Sequence, residues 1–132
     1  MINQQHSSYY RVYVEDTDLM GIIYHGKYLY FFERARTDLL RANGISLPKM
    51  AEYDTYFAIR DVHVRYLFPG KLDDMLRIDS IVSKLHGCTL ELVQEMYNQD
   101  GKLLAKADIQ VISVNKLLKP KRVMLEMMGG RK

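Results

Sequence analysis

Apolar positions recur every three or four residues over only one long stretch of this chain. From Leu29 to Asn43, Tyr28, Phe31, Phe32, Ala35, Leu39 and Ala42 share one helical face, while Glu33, Thr37 and Arg41 fall opposite. Gly44 follows as the stop, since glycine alone enters the left-handed terminal conformation without penalty. Leu29 and Leu40 lie beside the main stripe, so one sheet does not account for all of the helix's apolar surface. Pro48–Tyr53 has the form of a further helical turn.

Elsewhere the period is two. Tyr9–Val14 is rich in β-formers and predicts a first strand. Tyr56–Phe68 places Val62, Val64 and Tyr66 on one side and Asp61, His63 and Arg65 on the other, and Pro69-Gly70 ends it. Met75–Leu85 alternates with Leu76, Ile78, Ser80 and Val82 on one face. His86-Gly87 turns the chain into Thr89–Tyr97. Asp100-Gly101, which tolerates a tight reverse turn, leads to Leu103–Val114. One strand, one long helix and a meander of about four strands predict an α+β domain in which a curling antiparallel sheet buries the helix.

At 132 residues the chain is expected to be a single domain, 1–132, with 1–8 and 129–132 flexible. With 48% hydrophobic residues a packed core is available, which excludes a disordered chain. A net charge of +3 without a dense basic stripe argues against nucleic-acid binding. The lone Cys88 excludes an intrachain disulfide. No stretch reads as a signal peptide or a membrane span, so a cytoplasmic protein of a reducing compartment is expected.

The candidate chemistry precedes the helix. Asp16-Thr17-Asp18 has the composition of a solvated turn, but Gly21 and a helix starting near His25 or Gly26 follow it at once. First-turn N–H groups could polarise a carbonyl oxygen, and an ionised Asp18 could attack the carbon or deprotonate a water that does. Such a pair suits an activated acyl compound, a thioester above an amide. His25 reads as a helix-end residue or as one orienting Asp18 or water. No second histidine stands at ligand spacing, so no metal site is expected. The tyrosines at 10, 13, 24, 28 and 30 read as core, with some able to line an acyl pocket. Glu33 and Arg36 read as structural, paired along the helix or across an interface.

Arg11-Val-Tyr-Val-Glu-Asp-Thr-Asp18, Gly21-Ile-Ile-Tyr-His25, Tyr28 and Glu33-Arg-Ala-Arg-Thr37 closely resemble the acyl-CoA thioesterases of the 4-hydroxybenzoyl-CoA thioesterase class, nearest to the Tol-Pal-associated YbgC branch. Val64-Arg-Tyr66-Leu-Phe-Pro69 with Leu72-Asp-Asp-Met-Leu76 resembles a second segment of that family. The resemblance implies a hotdog fold, a homodimer commonly paired into a tetramer, and an active site between subunits hydrolysing acyl-CoA. It assigns Asp18 as nucleophile or general base and the His25 backbone N–H as carbonyl donor. Tyr13, Gly21, Tyr24, Gly26 and Lys84 become candidate substrate contacts, with Lys116–Arg122 a further candidate for the CoA phosphates. No metal or prosthetic group is implied; CoA belongs to the substrate. Lys27 and Met20 depart from the smaller residues usual there. A hotdog hydratase or dehydratase, or a non-catalytic acyl-CoA-binding module, is the alternative.

Overall fold

The computed structural model describes residues 4–122. The elements run β1 (Gln5–Arg11), a single 3-10 turn (Val14–Asp16), α1 (Lys27–Ala42), α2 (Leu47–Glu52), β2 (Tyr56–Tyr66), β3 (Met75–His86), β4 (Thr89–Tyr97) and β5 (Leu103–Val114). The strands form one antiparallel sheet in the order β1-β3-β4-β5-β2. Register shifts at Ile59/Asp61, Val82/Lys84 and Met96/Tyr97 bend the strands, and the sheet curves around α1. This is the expected hotdog architecture.

The inner face follows from alternation. Leu76, Ile78 and Val82 from β3, Leu90, Leu92 and Met96 from β4, and Ala107, Ile109 and Val111 from β5 are buried against Tyr28, Phe31, Phe32, Ala35 and Leu39 of α1. Gly44 ends the helix at φ +80°, as its sequence position requires. Ala42 is exposed rather than in the stripe, because the helix end runs past the edge of the core.

β1 differs from expectation. It begins at Gln5 and ends at Arg11, and the chain then coils into the 3-10 turn where strand was expected. Its pairing with β3, from Gln5 opposite Ile81 to Arg11 opposite Met75, orders residues 5–8, which polarity alone marks as flexible. Residues 1–3 and the tail 123–132, including the expected flexible end, lie outside the described residues. β2 pairs with β5 on one side and is the sheet's outer strand on the other. Val64 reaches the core, whereas Val62 and Tyr66 of the same expected face stay exposed.

One polar residue is seated in the apolar face. Gln94 on β4 is fully buried between Leu92 and Met96; its Nε2 donates to the Phe32 carbonyl of α1 at 3.0 Å and to Ser80 Oγ of β3 at 2.9 Å. It therefore fixes the helix to the sheet with partners for both protons.

Candidate active site

The loop between β1 and α1 folds back on itself. The Tyr24 N–H donates to the Asp16 carbonyl at 2.9 Å, Thr17 bridges Ile23, the Asp18 N–H donates to the Ile22 carbonyl at 3.0 Å, and the Gly21 N–H closes on the Asp18 carbonyl at 3.0 Å. Gly21 takes φ +77°, a conformation costly for any residue with a Cβ, and so allows the tip Leu19-Met20-Gly21. The segment before β3 holds this loop from behind: Ile23 N–H to Gly70 O at 2.8 Å, and Leu72 N–H to Gly21 O at 3.0 Å.

The two aspartates of the loop have different environments. Asp16 is 3% exposed; its Oδ2 accepts the Tyr13 N–H at 2.9 Å and its Oδ1 lies 3.6 Å from Lys27 Nζ, a charge contact beyond hydrogen-bond length. Lys27 at the helix start opposes the helix dipole, and Asp16 offsets it. Asp18 is exposed. Its Oδ1 accepts the Met20 N–H at 2.8 Å, and among the described residues no hydrogen bond takes Oδ2. In the same loop Tyr13, Val14, Leu19, Met20 and Tyr24 are also exposed. Several large uncovered apolar side chains on one short loop mark an interaction or ligand surface.

The start of α1 is firmly placed. Lys27 N–H donates to the Tyr24 carbonyl at 2.8 Å and Tyr66 Oη donates to the His25 carbonyl at 3.1 Å. Tyr66 packs edge-on against Tyr28, whose hydroxyl accepts the Gly70 N–H at 3.1 Å; burial raises the Tyr28 pKa. The N–H groups of His25 and Gly26 precede the first intrahelical bond and are the donors this end offers. The His25 ring is exposed and stacks on Tyr24, 4.4 Å between centroids. A Cβ on Gly26 would meet the Tyr24 ring at 3.0 Å, so glycine there lets the aromatic ring lie over the helix entry.

Asp18 pairs with Ile22 across the loop, and His25 and Gly26 follow at the entry to α1, so one short segment carries the carboxylate and the helix start. Lys84 is exposed near the far end of β3, nine residues along the strand from Met75. The basic segment is also elsewhere: Lys121 Nζ donates to the Tyr53 and Asp54 carbonyls, at the opposite end of β2 from Gly70. Among the described residues no group of three His, Cys, Asp or Glu side chains converges to hold a metal ion, and no helix is long and apolar enough to cross a membrane.

Sequence reasoning passed over Asp16 and Gln94. A polar residue at an apolar position of the β4 alternation was the available signal for Gln94; nothing in the string Asp-Thr-Asp says which carboxylate turns inward.

Residues 12–124 match the family model of the thioesterase-like superfamily. The chain is 38% identical over 112 residues to the acyl-CoA thioester hydrolase YbgC of Escherichia coli O6:H1, spanning 84% of each chain. It is 38% identical over 106 residues to the acyl-CoA thioesterase YbgC of Haemophilus influenzae, spanning 80% of this chain and 77% of that one. A solved structure described as a probable thioesterase from Bartonella henselae superposes with a TM-score of 0.87 at 31% identity, covering 91% of this chain and 99% of its own. The family model, the relatives and the superposed structure agree, and the chain belongs to the thioesterase-like superfamily.

Proposed function

We propose that this chain hydrolyses acyl-CoA thioesters to the free acid and CoA through the Asp18 carboxylate. The observation that carries the reading is the exposed, partly unoccupied Asp18 carboxylate on a loop that feeds directly into the amide-donor end of α1, in a chain 38% identical to acyl-CoA thioester hydrolases. Asp18 Oδ2 either attacks the thioester carbon or takes a proton from the water that does. The carbonyl oxygen, becoming negative, is held by the His25 backbone N–H with the helix dipole behind it. The C–S bond then breaks and CoA leaves as thiolate. By the nucleophilic route a second attack, by water on the acyl-aspartyl anhydride, returns the carboxylate.

Tyr13, Tyr24, Gly21 and Gly26 shape the acyl side of the site, and His25 orients the water. A second copy of the chain covers the exposed apolar side chains of the Asp18 loop, and two such dimers pair. The exposure of those side chains and the outer position of β2 support this assembly. CoA phosphates fall to Lys84 or to Lys116–Arg122 of a neighbouring subunit. The reaction as written draws on side chains, backbone donors and water, with no prosthetic group. The lone Cys88 supports a cytoplasmic setting.

The test is thiol release across short, long and aromatic acyl-CoAs, with Asp18→Asn beside the wild type. Turnover by the wild type and its collapse in the variant support the reading. Full turnover by Asp18→Asn refutes the carboxylate role; tight CoA-ester binding without thiol release identifies a binding module instead.

A further inference from the structure

Beyond β5 the chain turns back on itself. Val114 lies opposite Tyr56 at the start of β2, whereas the Asp18 loop is held by Gly70 and Leu72, beyond the strand's other end. The Asn115 N–H donates to the Lys119 carbonyl at 2.9 Å, the Leu118 N–H to the Asn115 carbonyl at 2.8 Å, and Pro120 bridges back to Val114. Asn115 also closes the turn from within, its Oδ1 accepting the Leu117 N–H at 2.9 Å and the Lys119 N–H at 3.1 Å. The Lys116 N–H donates to Asp54 Oδ1 at 2.9 Å, and Lys121 Nζ donates to the Tyr53 and Asp54 carbonyls. The tip is thus held in shape from both sides.

What it presents is apolar. Leu117 is 76% exposed and Leu118 74%, in a turn where Gly, Pro, Asn, Asp or Ser would be ordinary. Leu118 also takes φ +65°, which costs a residue with a Cβ and suits glycine or asparagine better. Neither leucine belongs to the core cluster, so burial among the described residues does not explain the pair.

Charge surrounds the two leucines. Lys116 and Lys119 flank them, and Lys121 and Arg122 follow. The segment that these residues touch carries the carboxylates Glu52 and Asp54, so cations outnumber anions at this corner. Tyr53, exposed on the same segment, adds an aromatic ring.

Free phosphate or CoA would satisfy the cations and leave the leucines in water. An acidic protein would answer the charge, but two leucines fall far below the roughly 800 Å² per partner that a stable protein interface buries. A bilayer with anionic headgroups answers both features, being charged at its surface and apolar just beneath, and it needs no shaped pocket.

We propose that the turn formed by residues 115–120 docks this protein on anionic lipid bilayers, with Leu117 and Leu118 entering the headgroup layer and Lys116, Lys119, Lys121 and Arg122 meeting lipid phosphates. Two leucines make the contact peripheral and reversible. The inference goes beyond the proposed hydrolysis and does not depend on it.

Flotation of the protein with vesicles tests it, using phosphatidylcholine alone and phosphatidylcholine mixed with phosphatidylglycerol. The wild type should float with the mixed vesicles only, less so at raised salt, and should stay bound in saturating CoA. The double variant Leu117→Ser, Leu118→Ser should bind about tenfold more weakly or worse, with its melting temperature and sedimentation unchanged. Lys116→Gln and Lys119→Gln should each weaken binding roughly fivefold. A wild type that floats with neither vesicle, or equally with both, overturns the proposal. So does a leucine variant that floats like the wild type, which leaves charge alone at work. A leucine variant that melts lower or changes its assembly gives the leucines to packing instead, and complete release by CoA gives the cations to the substrate; either result overturns the proposal. Asp18→Asn should float like the wild type, so loss of turnover and loss of docking are read separately.

Discussion

Asp16 and Asp18 stand two residues apart in one loop, yet the first is buried against the Tyr13 N–H and Lys27 while the second is exposed, with only one of its oxygens hydrogen-bonded among the described residues. The 3-10 turn over Val14–Asp16 ends with Asp16 turned inward, and Asp18 lies beyond it on the exposed part of the loop. Their substitutions should separate cleanly. Asp18→Asn is expected to lower kcat on the order of 10³-fold or more with an unchanged melting curve. Asp16→Ala removes a buried carboxylate that holds the Tyr13 N–H and offsets Lys27 at the helix start, and should cost about 1–3 kcal/mol in denaturant unfolding. Comparable stability losses in both would mean that Asp18 is structural too.

His25 supplies two different groups. The proposed donor is its backbone N–H, which a side-chain change leaves in place, while the ring lies exposed on Tyr24. His25→Ala should therefore reduce kcat by about tenfold, well short of the Asp18 effect. Steady-state kinetics on the best acyl-CoA decides it, and a collapse equal to that of Asp18→Asn would give the imidazole a direct chemical role.

Gly21 holds the Asp18 loop at φ +77°, with open space where a Cβ would go. Gly21→Ala meets no clash, so its penalty is conformational, about 1 kcal/mol. The loop carries the carboxylate, and the strain should appear as a fall in kcat larger than the small drop in melting temperature. A variant with wild-type turnover would show that the tip geometry is not part of the catalytic arrangement.

The helix, the meander and the Asp18–His25 segment were legible because each carries a local signal: a 3.6-residue stripe, strict alternation, a turn dipeptide, a motif. β4 and β5 run over the residues their alternation marks. β1 was displaced because its strand character comes from pairing with β3 rather than from its own polar residues Gln5, His6 and Ser7. The bulge at Val82/Lys84 was invisible for the same reason, since only pairing with β4 shows it. Leu29 and Leu40 did announce surplus apolar surface on α1; the Gln94 contact that orients Arg36 beside it spans 58 residues and left no local trace.

Gln94 joins the sheet to the helix at a point no water reaches. Gln94→Leu keeps the volume but leaves Ser80 Oγ and the Arg36 guanidinium without their partner. It should cost about 1–3 kcal/mol in urea unfolding. A neutral or stabilising result would show that the site prefers an apolar side chain and that Arg36 finds its partner elsewhere.

Tyr10 ties stability to pH on the alkaline side. Its hydroxyl donates to Asp38 Oδ2, and burial together with that carboxylate raises its pKa well above the ordinary tyrosine value of 10.0. The folded chain therefore keeps the phenol proton while the unfolded chain loses it as the pH climbs past 10. Stability from this group is complete below that point and declines above it, up to the folded pKa. Tyr28 and Tyr97 are raised as well and add to the same decline. Tyr10→Phe should be less stable at pH 7 by about 1 kcal/mol for the lost hydrogen bond, yet lose less further stability between pH 10 and 11 than the wild type. Urea unfolding at the three pH values reads both effects, and parallel losses in the two proteins would remove Tyr10 from the alkaline transition.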